Sequence, residues 1–363
     1  MRKFLWFLAP LVPLVITAVV LASAGSAKVT LPQAGKARAA AKWTYGTGDL
    51  VDSSPQIDGG SVYIGSDDDN LYKLNLATGA MQWSFTTGDN IQSKPVVKNG
   101  IVYVGSDDNN VYAVDASTGL EVWHYTTGGD VDANPLVQNG VVYIGSLDGT
   151  FYALDAATGA FIWSRSYDSF CGIFASAAEK NGLIFVNGVC QGLGALDAAT
   201  GAVVWQYPVP SSPSSFGTSS PKVDRGTVYV GGLQDNVLAV RVSDGQLVWS
   251  RSAGDQVWSS PTVSNGILYV GSQDNNLYAI DISNGKVKWK TDLGANVDSS
   301  PLVAHNLVWV GADNGRFFGV RPSNGTIAWT KQTGGIVYAS PSAKGQQVLI
   351  ASEDSKVYSF QMP

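Results

Sequence analysis

The chain has 363 residues, 45% hydrophobic and only 14% charged, which excludes both a disordered chain and a highly charged helical one. A net charge of −6 and a pI near 4.9 give no basic footprint for a nucleic-acid partner. Two histidines and two cysteines leave little material for a histidine-based active site or a zinc cluster.

Arg2 and Lys3 precede an apolar run from Phe4 to Ala22, and small residues follow it from Ser23 to Ala27. Basic, apolar and small-residue zones in that order predict a secretory signal peptide over 1–27, with a linker over 28–40. The alternative is an uncleaved anchor, because the run approaches membrane-spanning length, but Pro10 and Pro13 interrupt it. No cysteine precedes Cys171, so a lipoprotein is not expected. The expected product is periplasmic or secreted, acidic, and without a membrane span after cleavage.

From there the chain repeats itself. Trp43, Trp83, Trp123, Trp163, Trp205, Trp249, Trp289 and Trp329 are spaced 40, 40, 40, 42, 44, 40 and 40 residues apart. Between them run four short apolar or alternating stretches, each closed by a turn signal, which predict four antiparallel strands. Asn99-Gly100, Asn139-Gly140, Asn181-Gly182 and Asn265-Gly266 join the first strand to the second, as two-residue hairpins with positive φ require. Thr78-Gly79, Thr118-Gly119, Thr158-Gly159 and Thr200-Gly201 join the third to the fourth. Units of this length and content are propeller blades.

Eight Val-Tyr-Ile-Gly-like strands start at Val62, Val102, Val142, Ile184, Val228, Leu268, Val308 and Val348. The eighth blade lacks its fourth strand, and Ala41 to Tyr45 offers a spare one ahead of the first blade. The expected architecture over 41–363 is therefore an all-β, eight-bladed propeller of four-stranded antiparallel blades, its ring closed by the N-terminal strand. The recurring tryptophan is expected to pack between blades, since its spacing follows the blade and no single site.

The stretch from Ala113 through Asp115, Thr118 and Gly119 to Trp123, with its copy from Ala153 to Trp163, resembles the tryptophan-docking repeat of quinoprotein (PQQ-like) propellers. That family includes dehydrogenases that bind pyrroloquinoline quinone and non-enzymatic scaffolds alike. Among the scaffolds is the propeller subunit of the outer-membrane β-barrel assembly complex, which this chain resembles in size and blade count. The resemblance implies the fold and leaves the function open between the two kinds of member.

Chemistry has few places to reside. His124 follows an outer-strand tryptophan and His305 replaces the Asn of a hairpin turn, so both are expected on exposed surface. The turns Ser66 to Asn70, Ser106 to Asn110 and Ser272 to Asn276 carry clustered oxygen ligands. They lack the full calcium-loop pattern, and Asp and Asn are ordinary turn residues, so no metal site is expected.

The inner strands vary more informatively. Asp52, Gln92, Asp132, Phe174, Thr218, Trp258, Asp298 and Tyr338 share one position; two residues on come Ser54, Lys94, Asn134, Ser176, Ser220, Ser260, Ser300 and Ser340. A ligand site at the channel mouth would draw on Asp52, Lys94, Asp132, Phe174, Trp258, Asp298 and Tyr338. A water-filled channel lined by polar residues accounts for the same pattern without a ligand, and is the reading preferred here.

Only two blade-to-blade linkers are long, by two residues after Trp163 and by four after Trp205. Tyr167, Phe170, Pro208 and Phe216 in these linkers are the candidate partner-binding residues. Cys171 lies in the first of them and Cys190 in a turn of the same blade on the same face, so export predicts a disulfide between them. The leading expectation is a non-catalytic exported scaffold, a monomer without cofactor, binding a protein partner in the cell envelope, with a role in outer-membrane protein assembly. The rivals are an oxidoreductase of the alcohol or aldose dehydrogenase type, using pyrroloquinoline quinone and calcium, and a carbohydrate-binding propeller.

Overall fold

A computed structural model describes residues 40–167, 172–188, 192–207, 218–233 and 235–362. These residues form eight four-stranded antiparallel sheets. Blade one comprises Gln56–Asp58, Ser61–Gly65, Asn70–Asn75 and Met81–Thr86, from the axis outwards, and the next six blades repeat that order. Blade eight takes its inner three strands from Ser342–Lys344, Gln347–Ser352 and Lys356–Gln361. Its outer strand is Ala41–Gly46, which pairs antiparallel with Lys356–Gln361, Thr44 opposite Tyr358. The ring is closed by the N-terminal strand, as the sequence predicts.

The hairpin chemistry is also as expected. Asn99 and Gly100 sit at φ 52° and 79°, Asn139 and Gly140 at 52° and 79°. At His305 and Asn306 the same turn holds with φ 51° and 57° on two non-glycine residues. His305 is half-buried, and its Nε2 lies 2.6 Å from the Gly345 carbonyl of the next blade. His124 is exposed, with Nδ1 2.8 Å from Glu121 Oε1.

Each repeated tryptophan packs into the next blade. Trp43 Nε1 donates to Leu76 O at 2.9 Å, Trp123 to Ala156 O at 3.1 Å and Trp249 to Ile282 O at 2.8 Å. The acceptor belongs to the turn after the third strand, where Asp155 Oδ1 accepts the Thr158 amide at 2.9 Å and its hydroxyl at 2.8 Å. Gly159 follows at φ 72°, and a Cβ there would stand 2.8 Å from Trp123 Cδ2. The Thr-Gly pair thus answers two demands at once: a left-handed turn and room for an indole. Trp329 differs. Its third-strand partner runs to Gln361 without such a turn, and the buried indole N–H has no acceptor among the described residues. It packs instead against Trp309, Phe317 and Phe360.

One feature was not legible in the sequence. The pairing of third and fourth strands slips just before the tryptophan: Ala153 opposes Trp163, but Leu154 opposes Phe161. The slip recurs in all eight blades. Such a bulge breaks the two-residue alternation, so two consecutive side chains face outward. Phe161 and Ile162, Val203 and Val204, and Leu247 and Val248 are exposed pairs of this kind.

Candidate functional site: the acidic axial mouth

The inner strands bring Asp52, Gln92, Asp132, Phe174, Thr218 and Tyr338 around one cavity of about 310 Å³. Trp258 and Asp298 occupy the same repeat position but do not line this cavity; Trp258 Nε1 donates to Gln256 Oε1 at 2.9 Å. Asp298 lies beside Gln273, whose Nε2 approaches it at 3.4 Å. Lys94 stands in the ring two residues further on, with Ser54 and Asn134, and does not line this cavity.

A second layer of acids covers the mouth. Asp67, Asp107, Asp313 and Glu353 each follow the small residue that opens the second-to-third-strand turn. Sequence reasoning treated these turns as simple Asx structures, which holds for their next residue. Asp68 Oδ1 accepts the Asn70 amide at 3.2 Å and its Oδ2 accepts the Tyr72 hydroxyl at 2.7 Å. Asp108 and Asp148 repeat the arrangement, with the tyrosine hydroxyl at 2.6 Å in both. Asp67, Asp107, Asp313 and Glu353 are free of that duty and face the axial ring. Both kinds are acidic turn residues in the sequence, and only their hydrogen bonds tell them apart.

The electrostatic consequence is plain in the proton affinities. Burial, then the charges of Asp67 and Glu353, push Asp52 up to about 7. Burial, then Asp49 and Glu353, push Asp67 up to about 6. Asp298 reaches about 6 through burial and the nearby Asp313. Asp107 and Asp132 lie close enough to share a proton, and burial raises both. Tyr338, between the two layers, is pushed up to about 12 by burial and then by Asp313, Asp298, Glu353 and Asp52. One carboxylate oxygen each of Asp52, Asp67, Asp107, Asp132 and Asp313 is buried without a hydrogen-bond partner. Buried, unanswered carboxylate oxygens in one place favour protons over ionisation. Among the described residues, no three His, Cys, Asp or Glu side chains are arranged to hold a metal ion.

Of the candidate partner loops, Tyr167 is described: it is half-buried, and the Arg165 guanidinium lies 5.8 Å from its ring centre. Phe170, Cys171, Cys190, Pro208 and Phe216 lie outside the described residues. An aromatic contact between outer and third strands is repeated at three joints and stops from the joint of blades three and four onward. Tyr45–Tyr72, Phe85–Tyr112 and Tyr125–Tyr152 form aromatic pairs 5.4–5.8 Å apart at successive blades. The next pair in the series is Arg165 and Gly194. A Cβ on Gly194 would stand 3.8 Å from the Trp205 carbonyl oxygen, an ordinary contact, so the position has room.

Solved structures with the same fold are many. BamB from Moraxella catarrhalis is 16% identical, with 89% of this chain and 100% of that one covered at a TM-score of 0.78. The computationally designed Ika8 protein is 16% identical, with 87% and 98% covered at 0.77. The quinohemoprotein alcohol dehydrogenase ADHIIG from Pseudomonas putida HK5 is 16% identical, with 89% and 76% covered at 0.75. At such identities these likenesses establish the fold alone. No curated protein matches the chain. The blade repeat itself, over residues 77–255 and 235–362, matches the family model described as "Outer membrane protein assembly factor BamB", and the chain belongs to that family.

Proposed function

We propose that the chain is an exported, non-catalytic propeller scaffold that presents the rim of blades three to five to a protein partner in cell-envelope assembly, specifically in outer-membrane protein assembly. The observation that carries this reading is the run of exposed apolar pairs on three successive outer strands: Phe161 and Ile162, Val203 and Val204, Leu247 and Val248. Elsewhere the matching positions include Lys42, Gln82, Glu121 and Lys288, polar or charged side chains that protect an edge strand. The same blades flank the two long linkers, with Tyr167, Phe170, Pro208 and Phe216, and the proposed Cys171–Cys190 disulfide braces that region. Exposed apolar surface concentrated beside variable loops is what a partner site requires. The reading includes cleavage after residue 27, a periplasmic or secreted monomer, and no lipid anchor. Among the described residues, no helix is long and apolar enough to cross a membrane.

The second reading, a quinone-dependent oxidoreductase, draws on the axial cavity and its two rings, Phe174 and Tyr338. Its charge pattern fits poorly. Pyrroloquinoline quinone brings several carboxylates, whereas the axial ring and its neighbour hold Asp52, Asp132 and Asp298 against the single cation Lys94. The two readings separate on the purified mature chain supplied with the quinone and calcium and assayed for dye reduction with alcohols and aldoses. The scaffold reading expects no turnover above the protein-free blank; sustained turnover that Asp132→Asn abolishes would replace it with the oxidoreductase.

A further inference from the structure

The axial cavity of about 310 Å³ has a wall of mixed chemistry. Asp52, Gln92 and Asp132 come from blades one to three, and Phe174, Thr218 and Tyr338 add two aromatic rings and a threonine hydroxyl. Among the described residues, Asp52 Oδ1, Asp132 Oδ1 and Thr218 Oγ1 are each buried without a hydrogen-bond partner. The threonine matters here, because its idle oxygen does not come from crowding among acids. A buried oxygen without a partner costs free energy until a donor from outside the protein meets it. No basic side chain lines the cavity to serve as that donor.

The surrounding face is of one sign. In the described blade-to-blade linkers and second-to-third-strand turns, Lys94 is the one base. Acids occupy the same segments at nearly every blade, among them Asp49, Asp89, Asp130 and Asp255 in the linkers. Such a field concentrates cations at the opening it surrounds. The wall then selects among cations. The second layer sets Asp67 beside Asp52 and Asp107 beside Asp132, so a ligand with more than one positive charge is better matched than a single charge. Aromatic faces accept alkylammonium groups and the methylenes between them. A flexible ligand that brings its own N–H donors needs no fixed coordination sphere.

We propose that the axial cavity binds a linear aliphatic polyamine, its ammonium groups donating to Asp52, Asp132 and Thr218 and its methylene chain lying against Phe174 and Tyr338. Binding displaces protons. Burial and mutual repulsion favour the protonated forms of Asp52, Asp67, Asp107, Asp132 and Asp298, and an arriving cation favours ionisation. Asp313, Glu353 and Tyr338 belong to the same field, and Lys94 in the neighbouring ring is the base that opposes it. Affinity therefore rises with pH while these carboxyls titrate. The site does not rest on the scaffold reading.

The test is isothermal titration calorimetry of the mature chain with spermidine, at ionic strength held constant with sodium chloride, in two buffers of different ionisation enthalpy. At pH 8 saturable binding with proton release to the buffer is expected, and at pH 5.5 binding at least about tenfold weaker. n-Butylamine, with one ammonium, should bind at least about tenfold more weakly than spermidine. The Asp52→Asn, Asp132→Asn double variant should lose the binding while melting no lower than the parent at pH 8. Asp89→Asn with Asp255→Asn, exposed acids of the same face outside the cavity, should bind within about twofold of the parent. Heat of dilution alone at pH 8 would leave the idle oxygens to channel water and overturn the proposal. An affinity flat or falling from pH 5.5 to 8, butylamine or calcium binding as tightly as spermidine, or equal weakening by the two double variants would overturn it as well.

Discussion

Removing residues 28–47 is expected to abolish the folded ring, because that deletion takes away Ala41–Gly46, the outer strand of blade eight. The loss exposes the edge of Lys356–Gln361 and empties the space that Trp43 fills between blades eight and one. Trp43→Ala alone should cost about 3–5 kcal/mol, the range for truncating a buried aromatic. Losing the whole strand adds its ladder and an open sheet edge prone to association. Trimming only residues 28–38 should leave the melting temperature unchanged, since pairing begins at Ala41. Circular dichroism melts with light scattering decide the matter. A monomeric 28–47 deletion with the parental Tm contradicts the closure.

The acidic mouth should make the protein less stable as the pH rises. A carboxylate whose folded pKa is raised contributes stability that is full below its unfolded value and lost as the pH climbs through the folded one. For Asp67 and Asp298 at about 6, and Asp52 at about 7, the window of loss runs from about pH 4 to 8. The turn aspartates work oppositely. Asp115 and Asp281, held down to about 2 by hydrogen bonds from Ser117 and Ser283 and their neighbours, lose their contribution only as the pH falls towards 2. Maximum stability is therefore expected near pH 4–5. After allowance for screening by channel water, Asp52 alone should account for about 2 kcal/mol of the loss. Melts at fixed ionic strength should show the Tm at pH 8.5 about 5 °C below that at pH 5. Asp52→Asn should recover about half of that difference at pH 8.5 and nothing at pH 4. A Tm that is flat or rising from pH 5 to 8.5 would contradict this account of the mouth.

The fold was legible because each blade repeats signals with one physical meaning. Asn-Gly pairs demand positive φ, Thr-Gly pairs demand a left-handed turn beside an indole, and tryptophans at constant spacing demand equivalent pockets. The axial ring followed from the same register, and six of its eight members do share a cavity. The second acidic layer was not legible. Asp67 and Asp68 look alike in sequence, yet one caps a turn and binds Tyr72 while the other faces the channel. Nor does alternation reveal the bulge before each tryptophan, which is set by pairing between strands. It is that bulge which turns Phe161 and Ile162 outward together.

The scaffold reading rests on the outward-facing apolar pairs of blades three to five, and one measurement addresses them directly. Tagged mature chain carrying Ile162→Glu, Val204→Glu and Val248→Glu is compared with the parent for partner capture from the native envelope, quantified by mass spectrometry. These side chains are exposed, 43–50%, so the triple variant should melt within about 2 °C of the parent. An envelope protein captured by the parent should be depleted at least about tenfold by the variant, the equivalent of about 1.4 kcal/mol. A matched Lys42→Glu, Lys288→Glu control on the other outer strands should capture normally. Equal capture by the triple variant and the parent would contradict the assignment of this rim as the partner site.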